Sequence, residues 1–162
     1  MSGERVTVGI GEWYVLKING VLVCIGLGSC VGIALYDPIK KIGGMVHILL
    51  PISQNSKDST SPTKFADTGI PFLLDEMVKV GASRSSIVAK IAGGSQMFSI
   101  KGRDDKINIG ARNVSIVKEK LQTLGIPILG EDTGGSFGRT MEFYVDSGLV
   151  KVKTIGRGER EF

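Results

Sequence analysis

Residues 26–51 read GLGSCVGIALYDPIKKIGGMVHILLP, and this stretch decides the fold. Val31–Tyr36 and Met45–Leu50 are apolar runs of strand length, while Asp37-Pro38-Ile39-Lys40 between them has the chemistry of a turn. The reading is an antiparallel pair. If Asp37 stands opposite Lys40, Cys30 stands directly opposite His47 on the same face, with Cβ atoms roughly 5 Å apart. A loop two residues longer makes them diagonal neighbours on that face, and a slip of one residue separates them.

Gly26, Gly28, Ser29 and Cys30 read as a tight turn leading into the strand. Glycines there take positive φ and let backbone N–H groups converge on one spot. A thiol at the end of such a turn gains donors that favour the thiolate and hold a developing oxyanion. With His47 opposite, the pattern is that of a cysteine nucleophile and its base. A plainer reading stays open, with Cys30 a small buried hydrophobe and His47 a hydrogen-bonded core side chain. GLGSC lacks the GxxxxGK[ST] pattern and opens no helix, so it is not read as a phosphate loop.

Working outward, strand-like runs cover Val6–Ile10, Trp13–Ile18, Val21–Ile25, Ile87–Ala92, Ile126–Leu129, Thr140–Val145 and Leu149–Thr154. Asp146-Ser147-Gly148 joins the last two as a hairpin. One helix is predicted over Phe65–Val80, with Pro71 implying a kink or a true start near Thr68. A second is predicted over Ala111–Leu124, with Val114, Val117, Leu121 and Leu124 on one face and Gly125 as its stop. The order implies an α/β fold, a layered sandwich of mixed β-sheets in which two main covering helices hide one face. Pro51–Thr63 (PISQNSKDSTSPT) reads as a long polar loop, either a lid or a disordered stretch.

The chain has 162 residues, 42% of them hydrophobic and 22% charged, which suits one globular domain over residues 1–162 and excludes a disordered chain. No uninterrupted apolar stretch approaches the roughly 18 residues of a membrane span, and Met1–Arg5 lacks the apolar core of an export signal. A cytoplasmic setting without membrane insertion is the expectation. Twenty basic and sixteen acidic side chains give a formal charge of +4, with no basic block of the nucleic-acid type. Lys151, Lys153, Arg157 and Arg160, interrupted by Glu159 and Glu161, read as a solvated tail. Two cysteines and one histidine fall short of the four ligands of a structural zinc site, so no metal is expected.

GLGSCVGIALYDP and GGMVHILLP resemble the chemoreceptor glutamine deamidases, the CheD family of bacterial chemotaxis. KFADT (64–68), KIAGGSQMF (90–98), NIGARN (108–113) and EDTGGSFGRT (131–140) carry the resemblance over nearly the whole chain. It implies a cofactor-free cysteine hydrolase with a sandwich fold similar to toxin deamidases. That hydrolase converts chemoreceptor glutamines to glutamate through a cysteine thioester, with glutamyl methyl-ester hydrolysis as a second activity. Its implied partner is CheC, a phosphatase of the CheY response regulator, and a mainly CheC-binding adaptor is the alternative. A thiol-dependent peptidase is weaker, because nothing suggests a long peptide groove.

By that resemblance Cys30 is the nucleophile and His47 the general base. The family's third catalytic position, a threonine six residues before the cysteine, is Cys24 here, a weaker hydrogen-bond partner for the imidazole. Gly28 and Ser29 would supply the oxyanion turn. Met97 and Phe98 are candidates for contacting substrate or partner, or else fill the core.

Overall fold

The computed structural model describes residues 3–53, 61–97 and 108–162. Within them lie ten strands: β1 Arg5–Thr7, β2 Trp13–Lys17, β3 Val21–Leu27, β4 Val31–Asp37, β5 Ile42–Ile48, β6 Val88–Gly93, β7 Ile128–Thr133, β8 Arg139–Tyr144, β9 Val150–Thr154 and β10 Gly158–Glu161. The two α-helices are α1, Ala66–Lys79, and α2, Ile109–Thr123. One sheet runs β1-β3-β8-β9-β10 and the other β2-β5-β4-β6-β7. Both are mixed, with parallel pairs at β1–β3 and β6–β7.

Alternation along β4 sorts the layers. Val31, Ile33 and Leu35 join Ile70, Leu73, Met77, Val117 and Leu121 in a core between sheet and helices. Cys30, Ala34 and Tyr36 face the opposite way and join Leu22, Cys24, Met141 and Phe143 in a core between the sheets. β4 and β5 are buried at every position because both faces are covered. The expected layered sandwich, with both helices on one face, is therefore present.

Several details differ from expectation. β5 begins at Ile42 and runs through Gly43 and Gly44. A Cβ on Gly43 would lie 2.8 Å from the Phe143 ring, and one on Gly44 2.9 Å from Leu73 and Met77, so both layers press on a strand without side chains there. The turn spans residues 38–41. Asp37 Oδ1 accepts the N–H groups of Ile39 and Lys40, and Lys41 takes a φ of 55°, so Asp37 pairs with Ile42 instead of Lys40.

α1 starts at Ala66 and continues through Pro71. No side chain caps it. Its first N–H groups instead reach the chain leaving β5, Ala66 to the Leu50 carbonyl (3.0 Å) and Asp67 to that of Pro51 (3.2 Å). The C-terminal segment is not a free tail: β10 pairs with β9, and Phe162 exchanges backbone hydrogen bonds with Val150. Glu159 sits opposite Lys153 and Glu161 opposite Lys151, so the alternating charges are cross-strand pairs.

Candidate active site

Cys30 ends the β3–β4 turn and His47 lies near the end of β5. Gly32 is the residue opposite His47, so the register is two residues removed from the direct pairing expected. Cys30 and His47 are thus diagonal neighbours, and the parity of the pleat keeps them on the inter-sheet face. Among the described residues no hydrogen bond joins them in this resting geometry.

The imidazole is 4% exposed, and its Nδ1 lies 2.9 Å from the Val8 carbonyl oxygen. A carbonyl only accepts, so Nδ1 carries the hydrogen and Nε2 of the neutral ring is left with a lone pair. Burial lowers the imidazole below its ordinary pKa of 6.5, opposed by the Val8 bond and by Glu12. Cys30 is 8% exposed. Burial raises its thiol above the ordinary 9.0, and its own backbone N–H only partly offsets this. The turn does not favour a resting thiolate as expected; desolvation outweighs the donors, and the resting pair is neutral.

Among the described residues no hydrogen bond joins Cys24 to the ring. It is fully buried in β3, with its Sγ 3.3 Å from Met45 Sδ, while the Val8 carbonyl holds Nδ1 of His47. Burial pushes the Cys24 thiol far above the usual range, and ionisation of the nearby Cys30 would add to this. Both cysteines are free.

The turn carrying Cys30 is held from outside. Ser95 N–H donates to the Gly28 carbonyl and Gly94 N–H to that of Cys30, each at 2.9 Å. Asn113 Nδ2 donates to Ser29 O (2.8 Å) and to Leu49 O (3.0 Å). Gly93 has a φ of 113°, and a Cβ there would lie 2.2 Å from the Cys30 oxygen. Gly28 is not a left-handed position; the positive φ of the turn belongs to Gly26, at a bulge between Cys24 and Leu27. Among the described residues no other residue takes the N–H of Gly28, Ser29 or Cys30.

A second loop supports the first. Gln96 N–H donates to the Gly135 carbonyl and Gly134 N–H to that of Gly93. The buried Arg139 guanidinium gathers Asp132 and the Gly134 carbonyl, shaping residues 132–138. Met97 is 46% exposed, with its side chain against Gly28. Phe98 and residues 54–60 of the polar loop lie outside the described residues.

Sequence reasoning left Asn113 and Gly93 without roles. The fully buried face of α2 is Gly110, Asn113, Val117 and Leu121, one residue away from the expected stripe at Val114. An asparagine four residues before Val117, on an apolar face, was the available signal.

Two sheets packed face to face, helices on one side and a thiol beside a singly protonated imidazole at one end define a protein with a cysteine–histidine candidate site. The chain belongs to the CheD family: residues 49–154 match it under the description CheD chemotactic sensory transduction. That match begins just past His47, but full-length relatives span the site as well. A protein of Caldanaerobacter subterraneus subsp. tengcongensis, named probable chemoreceptor glutamine deamidase CheD, is 54% identical over 98% of both chains. Proteins of the same name from Lachnoclostridium phytofermentans and Moorella thermoacetica are 48% and 50% identical, over 98% and 95% of this chain and 99% and 93% of theirs. No helix among the described residues is long and apolar enough to cross a membrane.

Proposed function

We propose that this chain is a cytoplasmic, single-domain chemoreceptor glutamine deamidase in which Cys30 is the nucleophile and His47 the general base. The observation that carries the reading is the protonated Nδ1 of His47 on Val8, which leaves a basic Nε2 on the face that Cys30 shares. The family's relatives, by the activity in their names, support the same chemistry.

The Sγ–H proton passes to Nε2 as sulfur attacks the amide carbon of a receptor glutamine. N–H groups at Gly28, Ser29 and Cys30 receive the oxyanion. The imidazolium then protonates the departing nitrogen, the C–N bond breaks, and ammonia leaves a thioester. Water gives a proton to Nε2 and attacks that carbon; the C–S bond breaks, the proton returns to sulfur, and glutamate is released. A glutamyl methyl ester presents the same carbonyl with methanol as leaving group, so ester hydrolysis belongs to the same reading. Met97 is the exposed apolar contact beside the turn. The sandwich layering is consistent with a likeness to toxin deamidases.

The test is incubation with a receptor cytoplasmic fragment, followed by mass analysis for the gain of about one dalton that amide-to-acid conversion brings. Cys30→Ala is expected to remove the gain while the fold persists; full activity in that variant overturns the proposal. The raised thiol pKa favours one second reading, an adaptor whose main work is to bind a CheC-type phosphatase. An intact protein that binds such a phosphatase yet leaves every receptor glutamine unchanged would establish it.

A further inference from the structure

We propose that Asn113 is a positioning residue that holds the Cys30 turn and the end of the His47 strand together, so that thiol and imidazole can meet. The inference rests on the assignment of those two side chains above. Three successive carbonyls of the turn are each fixed: Gly28 by Ser95 N–H, Ser29 by Asn113 Nδ2, and Cys30 by Gly94 N–H. Of these three restraints, only the Asn113 bond comes from a side chain. It is therefore the one that a substitution can remove without rebuilding the backbone.

The same amide donates to Leu49 O, two residues past His47. Extending the β4–β5 register places Leu49 opposite Cys30, so Asn113 clamps the strands where their ladder ends. Both acceptors are carbonyls, which identifies the atom between them as the nitrogen. Gly110 brings the helix close enough: a Cβ there would lie 2.3 Å from Ser95 O and 2.6 Å from Gly94 O.

The residue type points the same way. Asn113 is fully buried on the face that Val117 and Leu121 share, where an apolar residue would serve packing better. Asparagine is also a weaker helix former than alanine or leucine. Its Oδ1 has no partner among the described residues. Among the described residues this buried side chain gives its donors to two carbonyls distant in sequence and leaves its acceptor without a partner, a pattern that packing alone does not call for.

The experiment compares wild type, Asn113→Leu and Val117→Ala, the last a cavity on the same helix face that touches neither carbonyl. Four quantities are read: kcat and KM on a receptor cytoplasmic fragment, the pH profile of iodoacetamide alkylation of Cys30 followed by peptide mass, and Tm. For Asn113→Leu, kcat is expected to fall about 10–100-fold with KM within about twofold, as for an ångström-scale misplacement of reacting groups. The alkylation profile moves to higher pH. Val117→Ala lowers Tm and leaves kcat and the profile in place. If Asn113→Leu does not fold, Asn113→Asp takes its place, since an ionised carboxylate cannot donate. A folded Asn113 variant with wild-type kcat and alkylation overturns the proposal, as does a Val117→Ala variant that reproduces the shifted profile. Should the wild type modify no receptor glutamine, the functional reading fails, while the alkylation comparison still decides the role of Asn113.

Discussion

His47 and Val8 are joined by a 2.9 Å hydrogen bond from the ring Nδ1 to a backbone carbonyl. The partner is main chain, in the segment after β1, where Val8 N–H in turn donates to Val23 O at 2.7 Å. The tautomer is therefore set by the fold and not by another side chain. A substitution at Val8 changes the side chain yet keeps the carbonyl, so the base keeps its orientation.

The pH dependence follows from the buried neutral pair. Burial holds His47 below its ordinary 6.5, and the neutral ring is the active form. On a receptor fragment kcat/KM should stay level somewhat below pH 6.5 and then fall on further acidification, while the raised thiol places the alkaline limb above pH 9.0. A depressed folded-state pKa also means that stability present above pH 6.5 is lost as pH falls through the folded value, so Tm declines there. His47→Gln should lower kcat by about 10²–10⁴-fold. A wild-type rate in that variant would contradict the assignment.

Cys24→Ala separates the structure from the family pattern. Cys24 makes its hydrogen bond to Met45, and the ring's Nδ1 is held by Val8, so kcat should stay within about threefold, a change of less than ~1 kcal/mol in barrier. Lost packing in a fully buried site should cost about 1 kcal/mol in denaturant unfolding. A hundredfold drop in kcat would return Cys24 to the catalytic machinery.

Gly93→Ala tests the contact behind the nucleophile. The new methyl would lie 2.2 Å from the Cys30 oxygen, at a φ of 113° that alanine avoids. The expected cost is about 2–4 kcal/mol, together with loss of most activity because the strained neighbour is Cys30 itself. Chemical denaturation and the receptor assay read the two effects separately.

Glu142 is a stability prediction away from the site. Burial alone would raise its carboxyl, but Arg5, Lys153 and Tyr144 outweigh this and hold it below the usual range. The stabilisation is present above the unfolded value near 4.5 and is lost as pH falls through the folded one. Arg5 and Lys153 are more than half exposed, so Glu142→Gln should cost only about 1–2 kcal/mol at pH 7. Wild type and variant should converge in Tm once the buffer falls below the folded-state value, itself below 4.5.

Much of this was legible along the chain. Pleat alternation in β4 and β5 depends on neighbours in sequence, so the shared face of Cys30 and His47 followed from spacing, and the two-residue change in register preserved it. The turn itself was harder to place, because Asp37 capping and the left-handed Lys41 lengthen the connection. The start of α1 lies within one residue of the Phe65 expected, but what satisfies it was not legible: carbonyls of Leu50 and Pro51, instead of a capping side chain, receive its first N–H groups.

Local chemistry by itself determined the strand pair, the two helices and the face on which thiol and imidazole stand, since each depends on residues a few positions apart. Only the tertiary structure decided what surrounds them. The Val8 carbonyl that sets the tautomer, the Asn113 amide that ties two strand ends and the burial that keeps the pair neutral all come from distant segments. Hydrogen bonding and desolvation act through space, and no periodicity in the chain records which distant groups packing will bring together.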